Sequence, residues 1–269
     1  MWFRALISLL RSFFLDIFFI FAYKSICIYA RKRARTLEEN TKKYLAKPVV
    51  ENYTTIENLR YGNLDRVQDA FLEQENIFTS YVDVFSKTPY PFIYDTYNEI
   101  EYLYNLQEKV LDKPNFRKYY QFVRDCDKDI HKVFRKEFRK IGVKYDGDYL
   151  EKTQEKLGAL IMKLKDFYNR PRPFQVAYYT GQNLHPFPTF SGHSPAYPSG
   201  HSCQAHFLMR LVAFQNPSKA EELLELGQRI ADTRLAMGVH YPSDNEFGKE
   251  IAIKLAREPR IRKIFFERK

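Results

Sequence analysis

The fold of this chain is decided by three short stretches: KDFYNRPRP (165–173), YPSGHS (197–202) and TRLAMGVHYPSD (233–244). The first stretch ends a helix that carries Lys165, because Pro171 and Pro173 each disfavour the helical conformation in the preceding residue. The chain therefore turns at this point. Arg170 or Arg172 can then direct a guanidinium group back beside the lysine.

The other two stretches place polar groups at or near the start of a helix. Ser199 is a candidate N-cap, and the free backbone N–H groups after it, beginning at Gly200, can bind an anion. His240 and Asp244 lie four residues apart. This spacing allows the carboxylate to hold one imidazole nitrogen while the other stays available for attack. Taken singly, each of these features is common in proteins of unrelated function.

Working outward from these stretches, apolar residues recur at helical spacing almost throughout the chain beyond residue 35. The pattern predicts a helical segment across 64–85, a helix around 100–110, a long helix from Pro114 to Phe138 and another across 150–169. A loop is expected from Pro171 to Ser199. The remaining helices are expected near 202–214, 217–237 and 244–257. No sustained alternation typical of a strand occurs, so we predict an all-α fold.

Composition excludes several classes of protein. With 269 residues, of which 45% are hydrophobic and 28% charged, the chain is not wholly disordered. Its three cysteines are widely spaced and form neither a disulfide framework nor a zinc site, which favours a reducing compartment. A mean hydropathy of −0.50 excludes a polytopic membrane protein. The net charge of +10 favours an acidic partner: a phosphate, an anionic lipid or a nucleic acid.

The N-terminal segment, residues 1–35, is expected to form a hydrophobic helix and is a candidate membrane anchor. Its apolar part, residues 5–30, is interrupted by Arg11, Asp16 and Lys24. It is therefore a marginal membrane span, and it suits equally a helix lying in the interface. A helix packed on the protein's own core is the third alternative. The basic cluster that follows, Arg31–Arg35, favours contact with an anionic membrane.

Taken together and in order, the three stretches resemble the phosphatidic acid phosphatase type 2 (PAP2) superfamily. The family pattern is K-x6-RP, then PSGH, then SR-x5-H-x3-D, and the matching positions here are Lys165, Arg172, Pro173, Pro198, Ser199, Gly200, His201, Arg234, His240 and Asp244. Thr233 stands where the pattern has serine, and it keeps the hydroxyl group. A second Ser-Gly-His-Ser sequence at 191–194 lacks the preceding proline. We therefore interpret His193 as a loop residue near the mouth of the pocket.

The resemblance implies a haloperoxidase-like helical bundle with a phosphate-binding site. Lys165, Arg172 and Arg234 would bind the phosphoryl oxygens. Ser199 and the backbone N–H of Gly200 would complete this site. Because these cations neutralise the charge of the substrate, no metal ion and no other cofactor is expected.

The catalytic residues that the resemblance implies are His240, His201 and Asp244. His240 would attack phosphorus and form a phosphohistidine, and Asp244 would fix the tautomer of that histidine. His201 would protonate the leaving group and then activate water. The remaining histidines, His131, His185 and His206, have no ligand spacing and are expected to be structural or at the surface.

The favoured function is hydrolysis of phosphomonoesters, because charged residues interrupt the catalytic helices and the chain looks more like the soluble acid phosphatases than the membrane-spanning members. The substrate would be a phosphorylated small molecule or lipid, and no specific nucleic acid is expected. A vanadium-dependent haloperoxidase, with vanadate in the phosphate site, is the first alternative. A catalytically decayed basic protein that binds membranes or nucleic acid is the second.

The expected domain organisation has three parts. Residues 1–35 form the N-terminal segment, residues 36–258 form the helical domain with its motifs at 165–248, and residues 259–269 form a basic tail. If the N-terminal helix spans a membrane, its basic end stays in the cytoplasm together with the catalytic domain. Otherwise the protein is expected to be soluble and cytoplasmic.

Overall fold

A computed structural model describes residues 59–62, 66–91 and 93–267 of the protein. Over these ranges the chain is helical and forms no β-strand, which confirms the all-α prediction. The helices are α1 (Arg66–Glu73), α2 (Val82–Phe85), α3 (Ile93–Leu111), α4 (Phe116–Lys128), α5 (Ile130–Ile141), α6 (Gly147–Tyr168), α7 (Pro173–Thr180), α8 (Gly200–Gln215), α9 (Ala220–Ala236), α10 (Pro242–Arg257) and α11 (Pro259–Ile261). Short 3-10 turns lie at Thr79–Tyr81 and Pro217–Lys219, and a π turn lies at Arg262–Phe266.

Helix α8 packs against both α9 and α10 and forms the centre of the bundle. Its side chains are buried on nearly every side, as Phe207 and Leu211 illustrate, which is the pattern of a helix enclosed by other helices. Gly248 allows α10 to approach closely, because a Cβ atom there would lie 2.6 Å from the carbonyl oxygen of Ser199. The start of α8 therefore touches the first half of α10, where the sequence motifs lie.

The prediction of one continuous helix from Pro114 to Phe138 is wrong. Two helices, α4 and α5, lie there and meet at Asp129. Asp129 is extended, with φ −158° and ψ 94°. Its carboxylate accepts a hydrogen bond from the backbone N–H of Lys132 at 3.0 Å. An aspartate side chain competes with the helix for such donors. Asp129 therefore ends α4 and caps α5.

The segment predicted as helical across 64–85 is also divided, into α1, a 3-10 turn and α2. The side-chain oxygen of Asn76 accepts a hydrogen bond from the Phe78 N–H at 2.9 Å, and the Asn76 N–H donates to Thr79 Oγ1 at 2.9 Å. Such local side-chain bonds favour a turn over a continuing helix.

The loop predicted from Pro171 to Ser199 contains one short helix, α7. Pro173 begins it, a favourable first helical residue because it lacks the N–H that would be left unbonded there. Gly181, with φ 69°, ends it. The three helices predicted after this loop correspond to α8, α9 and α10.

Residues 259–266, predicted as part of a basic tail, pack on the core. Ile261, Phe265 and Phe266 are buried, and the ring of Phe265 stacks on that of Phe78 with centroids 4.9 Å apart. The predicted hydrophobic N-terminal helix and the rest of residues 1–58 lie outside the described residues. None of the helices in the described part of the chain is both long enough and apolar enough to span a membrane.

Candidate active site

The eight residues singled out from the sequence are carried by the ends of four helices and by the loops between them. Lys165 lies in the last turn of α6, and Arg172 immediately precedes α7. Ser199, Gly200 and His201 form the start of α8, where Ser199 accepts a hydrogen bond from the Ser202 N–H. Arg234 lies in the last turn of α9, His240 follows in the loop, and Asp244 lies in the first turn of α10. The backbone N–H of Ser199 donates to the Asp244 carbonyl oxygen at 2.9 Å, which ties two of these helix starts together.

His240 lies between Asp244 and Arg172. Its Nδ1 is 3.1 Å from Asp244 Oδ2, and its Nε2 is 2.9 Å from Arg172 Nη1. A guanidinium group can only donate hydrogen bonds. Nε2 must therefore accept, and Nδ1 carries the proton and donates it to the carboxylate. Burial, reinforced by the charge of Arg172, holds the pKa of His240 well below its usual range, so the ring is neutral.

Arg172 is held by the backbone on both sides of the site. It donates to the carbonyl oxygens of Ser194 and Val239, each at 2.7 Å. Burial lowers its pKa to about 10, and the charge of Arg234 acts in the same direction.

Lys165 is also buried, and its amino group donates to the carbonyl oxygens of Pro195 and Ala196. Burial, reinforced by Arg172, lowers the pKa of Lys165 well below its usual range. Lys165 and Arg172 are thus two buried basic side chains whose charges repel each other. An anion bound here would relieve both the repulsion and the cost of burial.

Arg234 has an acidic partner that sequence reasoning missed, Asp127 on α4. Its Nη1 lies 2.8 Å from Asp127 Oδ1, while the carboxylate also accepts from the hydroxyl groups of Thr189 and Ser191 at 2.8 and 2.6 Å. Although burial opposes ionisation, Arg234 holds the pKa of Asp127 well below its usual range. Arg234 Nε is buried without a hydrogen-bond partner among the described residues.

His201 contacts the residue beside that aspartate. Its Nε2 lies 3.2 Å from the carbonyl oxygen of Cys126. Because a carbonyl can only accept, Nε2 carries the proton and Nδ1 holds the lone pair. Burial, reinforced by Arg234, lowers the pKa of His201 to about 3. The end of α4 therefore positions both an arginine and a histidine of the candidate site.

A signal for Asp127 was present in the sequence. It is four residues after Val123 and three before Ile130, both of which are buried, so it occupies the apolar face of α4. A carboxylate on such a face requires a partner. Only the tertiary structure identifies Arg234 as that partner, because the two residues are far apart in sequence.

The second Ser-Gly-His-Ser sequence is part of the surroundings of the site. Arg234 Nη2 donates to Ser191 Oγ at 3.1 Å, and Arg172 bonds the carbonyl oxygen of Ser194. His193, between them, is exposed. The loop 189–196 therefore orients all three cations.

The other histidines lie elsewhere. His131 is buried and hydrogen bonds the Tyr145 hydroxyl group at 2.8 Å, His206 is buried within α8, and His185 is exposed. Within the described ranges, no three His, Cys, Asp or Glu side chains lie together as a metal site would need.

The candidate site is nearly closed to solvent: Lys165, Arg172, Arg234 and His240 are each no more than 3% exposed. An open groove of about 1550 Å³ lies apart from it, against α3, α4, α5 and α9, and none of the eight residues lines that groove. Its walls carry basic and aromatic side chains, among them Lys118, Arg124, Tyr120 and Phe190. The motif residues thus converge on one buried site, and this groove is separate from it.

The described helices form a bundle that buries three cationic side chains beside an imidazole–carboxylate pair. Residues 157–257 match the family model of the PAP2 superfamily. The non-specific acid phosphatases of Salmonella typhimurium (strain LT2) and Salmonella typhi are each 29% identical over 94 residues. These matches cover 35% of this chain and 37% of each relative, so the chain spans little more than a third of the length of those relatives.

Proposed function

We propose that this protein is a phosphatase that hydrolyses phosphomonoesters through a phosphohistidine intermediate on His240. The PAP2 domain and the distant similarity to acid phosphatases support a phosphatase in general. The intermediate is proposed from the geometry of the site. The substrate class, a phosphorylated small molecule or lipid, is proposed from the family.

The observation that carries the proposal is the tautomer of His240. Since Asp244 accepts the Nδ1 proton, the lone pair lies on Nε2, the nitrogen that faces Arg172. A neutral imidazole with a fixed lone pair is a competent nucleophile toward phosphorus. Asp244 would stabilise the ring as it becomes cationic during attack.

The cations would bind the three phosphoryl oxygens and stabilise the charge of the transition state. Lys165 and Arg172 donate to backbone carbonyl oxygens, and Arg234 Nε has no partner among the described residues. A phosphate group would accept hydrogen bonds from all three. It would also draw Arg172 away from His240 Nε2 and so expose the nucleophile.

In the first step, His240 Nε2 forms a bond to phosphorus while the bond from phosphorus to the ester oxygen breaks. His201, protonated in the complex, gives its proton to that oxygen, and the alcohol leaves. In the second step, His201 takes a proton from water, the hydroxide attacks phosphorus and the P–N bond breaks. Phosphate is released, and both histidines return to their starting state.

His201 must gain a proton for this role, although its pKa is about 3 in the free protein. The second largest cause of that low value is the charge of Arg234. A phosphate dianion would offset this charge and raise the pKa of His201. The expected pH profile is bell-shaped, because one histidine must be neutral while the other is charged.

The test is a panel of phosphomonoesters and phosphodiesters on the full chain, with and without EDTA and vanadate. Hydrolysis should persist in EDTA and be inhibited by vanadate, which mimics phosphate. His240→Asn should abolish turnover. Oxidation of halide ions by the vanadate-loaded protein, without hydrolysis of any phosphoester, would instead establish the haloperoxidase alternative. The absence of both activities would favour a decayed site.

A further inference from the structure

Arg170 lies at the centre of a second buried network, next to the candidate site but outside the family motif. Its side chain is 1% exposed. Nη1 lies 2.6 Å from Asp244 Oδ1, and Nη2 lies 3.0 Å from Oε2 of Glu99 on α3. The guanidinium plane also covers the ring of Tyr241, with Cζ 3.8 Å from the ring centroid. One cation is therefore shared between two carboxylates.

Glu99 is held on its other side by α10. It accepts from the backbone N–H of Ser243 at 2.6 Å and from the Ser243 hydroxyl group at 2.9 Å. Arg170 donates to the same hydroxyl group at 2.7 Å. This arrangement fixes the distance between Glu99 and the residue before Asp244, so the two carboxylates compete for Arg170 in a constant geometry.

The two oxygens of Asp244 serve different partners. Oδ2 accepts from His240 Nδ1 and from the Tyr241 N–H, whereas Oδ1 faces Arg170. Arg170 neutralises part of the negative charge of Asp244 at Oδ1. The carboxylate therefore stabilises a protonated His240 imidazole less strongly. Glu99 also attracts the Arg170 guanidinium group and so reduces the extent to which Arg170 neutralises Asp244.

We propose that Arg170 and Glu99 are positioning residues that set the basicity of His240 by controlling the charge on Asp244. The inference rests on the proposed function, in which His240 must be neutral to attack. Arg170 touches neither substrate nor reacting atoms in this account. It acts only through Asp244.

The charged groups that face this network are known. Arg172, Lys165, Arg234 and His201 all act on His240 and lower its pKa, after burial, which is the largest cause. Around Arg170, burial opposes the charge, but Asp244, Tyr241, Glu99 and Tyr90 raise its pKa. Arg170 therefore stays charged. Substitution of Glu99 or Arg170 changes the electrostatic field at Asp244 and leaves the three cations of the proposed phosphate site in place.

The signs of the expected effects are opposite. Glu99→Gln removes a competitor for Arg170, so Asp244 is neutralised more completely and the pKa of His240 falls. The double variant Arg170→Gln/Glu99→Gln leaves Asp244 with its full charge, so the pKa of His240 rises. Arg170→Lys keeps a cation beside Asp244 and should stay close to the unaltered protein. A residue that only maintains the fold would not shift the pKa in two directions.

The experiment is a pH titration of the full chain labelled with ¹⁵N-histidine, followed by NMR with saturating inorganic phosphate, and with His240→Gln used for assignment. Phosphate offsets the surrounding cations and brings the titration into an accessible range. We expect Glu99→Gln to lower the pKa of His240 by about one unit and the double variant to raise it by about one unit. The acid limb of the pH profile of kcat should move in the same directions.

The matched control is Glu137→Gln, which removes a partly buried carboxylate that pairs with Arg229 at 3.7 Å and with Lys140 and should leave the pKa of His240 unchanged. Equal or same-signed shifts in the two test variants would overturn the inference.

If the double variant does not fold, Glu99→Gln alone tests the inference, since an unchanged or raised pKa of His240 in that variant contradicts the prediction. If phosphate shifts no histidine resonance, the proposed function fails. The role of Arg170 is then judged in the free protein, where the double variant must still raise the pKa.

Discussion

At the scale of single residues, the candidate site concentrates positive charge where solvent is nearly absent. Burial lowers the pKa values of Lys165 and Arg172 because a charged form loses hydration there. Hydrogen bonds to an anion are stronger in such a place than in water. The same desolvation that lowers these pKa values therefore favours binding of phosphate.

The roles proposed for Asp127 lead to a first prediction. Asp127→Asn keeps the shape of the side chain but leaves the buried Arg234 without its ion pair, which should lower the free energy of unfolding by about 3 kcal/mol. Since Arg234 would no longer be fixed, KM for a phosphomonoester should rise about tenfold or more, about 1.4 kcal/mol. Urea unfolding and steady-state kinetics measure the two effects.

The matched control for Asp127 is Asp125→Asn, two residues away. Asp125 pairs with the exposed Lys132 at 3.0 Å, and such surface pairs contribute about 1 kcal/mol or less. Similar losses in both variants would contradict a special role for Asp127.

Buried histidines give a prediction about acid stability. Burial lowers the folded-state pKa values of His201 and His206 to about 3 each. Both bind a proton on unfolding between about pH 3 and 6.5, because the unfolded chain has the ordinary histidine pKa. The unfolded state binds more protons in this window. The free energy of unfolding should therefore fall as the pH drops below 6.5, by about 1.4 kcal/mol per pH unit for each histidine.

His206 lies outside the candidate site and isolates this effect. His206→Gln should reduce the pH slope by about 1.4 kcal/mol per pH unit, measured by urea unfolding between pH 4 and 7. An unchanged slope in His206→Gln would show that the buried ring is not what makes the protein acid-sensitive.

Sequence reasoning reached the motif residues but not their supporting partners. Helix ends, proline positions and the four-residue spacing of His240 and Asp244 are local features, so the sequence displays them. The pairing of Arg234 with Asp127, and of Arg170 with Glu99, depends on which distant helices pack together. Of these partners, only Asp127 leaves a local trace, as an acidic residue on an apolar helix face.

At the scale of helices, the contact between α8 and α10 brings the start of α8, which carries Ser199 and His201, to the start of α10, which carries Asp244. Ser202 Oγ donates to the Asn245 carbonyl oxygen at 2.7 Å, next to the bond between Ser199 and Asp244. The contact requires a glycine at 248, since a Cβ atom there would also lie 3.1 Å from the Cys203 nitrogen. The spacing of these two helices therefore determines the geometry of the site.

Gly248→Ala should push α10 away from α8, because the obstructing atoms belong to the backbone and cannot rotate aside. We expect the free energy of unfolding to fall by about 1–3 kcal/mol and kcat to fall with it. Gly158→Ala is the control, since a methyl group there meets the ring of Phe71 at 3.3 Å, a side chain that can move. Chemical denaturation and kinetics on both variants compare the two. Equal effects would mean that the contact does not position the site.

Helical periodicity predicted α6, α8, α9 and α10 well, because their apolar faces are long and continuous. It failed to divide the segment from Pro114 to Phe138. The apolar pattern runs through Asp129, and the break comes from a side-chain hydrogen bond to Lys132 that periodicity does not register. Local capping, in this case, outweighs the hydrophobic pattern.

At the scale of the whole molecule, the described helices form one bundle around α8, and residues up to 266 belong to it. Ile261, Phe265 and Phe266 are buried in the bundle, although composition alone predicted that this segment is part of a basic tail. The charge of that segment is typical of a tail, but its aromatic residues pack on the core.

The N-terminal segment, residues 1–35, supports a prediction on the attachment of the whole molecule. Its apolar stretch and basic cluster are two additive signals for membrane binding, with about 1 kcal/mol per basic residue near an anionic surface. The full chain should sediment with anionic vesicles, and high salt should weaken this only in part. Deletion of residues 1–35 should leave an active phosphatase in the supernatant. Full-length protein that stays entirely in the supernatant at low salt would contradict attachment.

The central claim, that His240 carries the phosphoryl group, is tested most directly by identifying the phosphorylated residue. The variant His201→Ala lacks the base for the second step, so with an aryl phosphate, whose leaving group needs no protonation, the intermediate should accumulate in the full chain. An alkaline quench followed by peptide mass spectrometry should find a phosphoryl group on His240, and the double variant His201→Ala/His240→Asn should show none. A phosphoryl group on another residue, or turnover by His240→Asn at the rate of the unaltered protein, would contradict the mechanism.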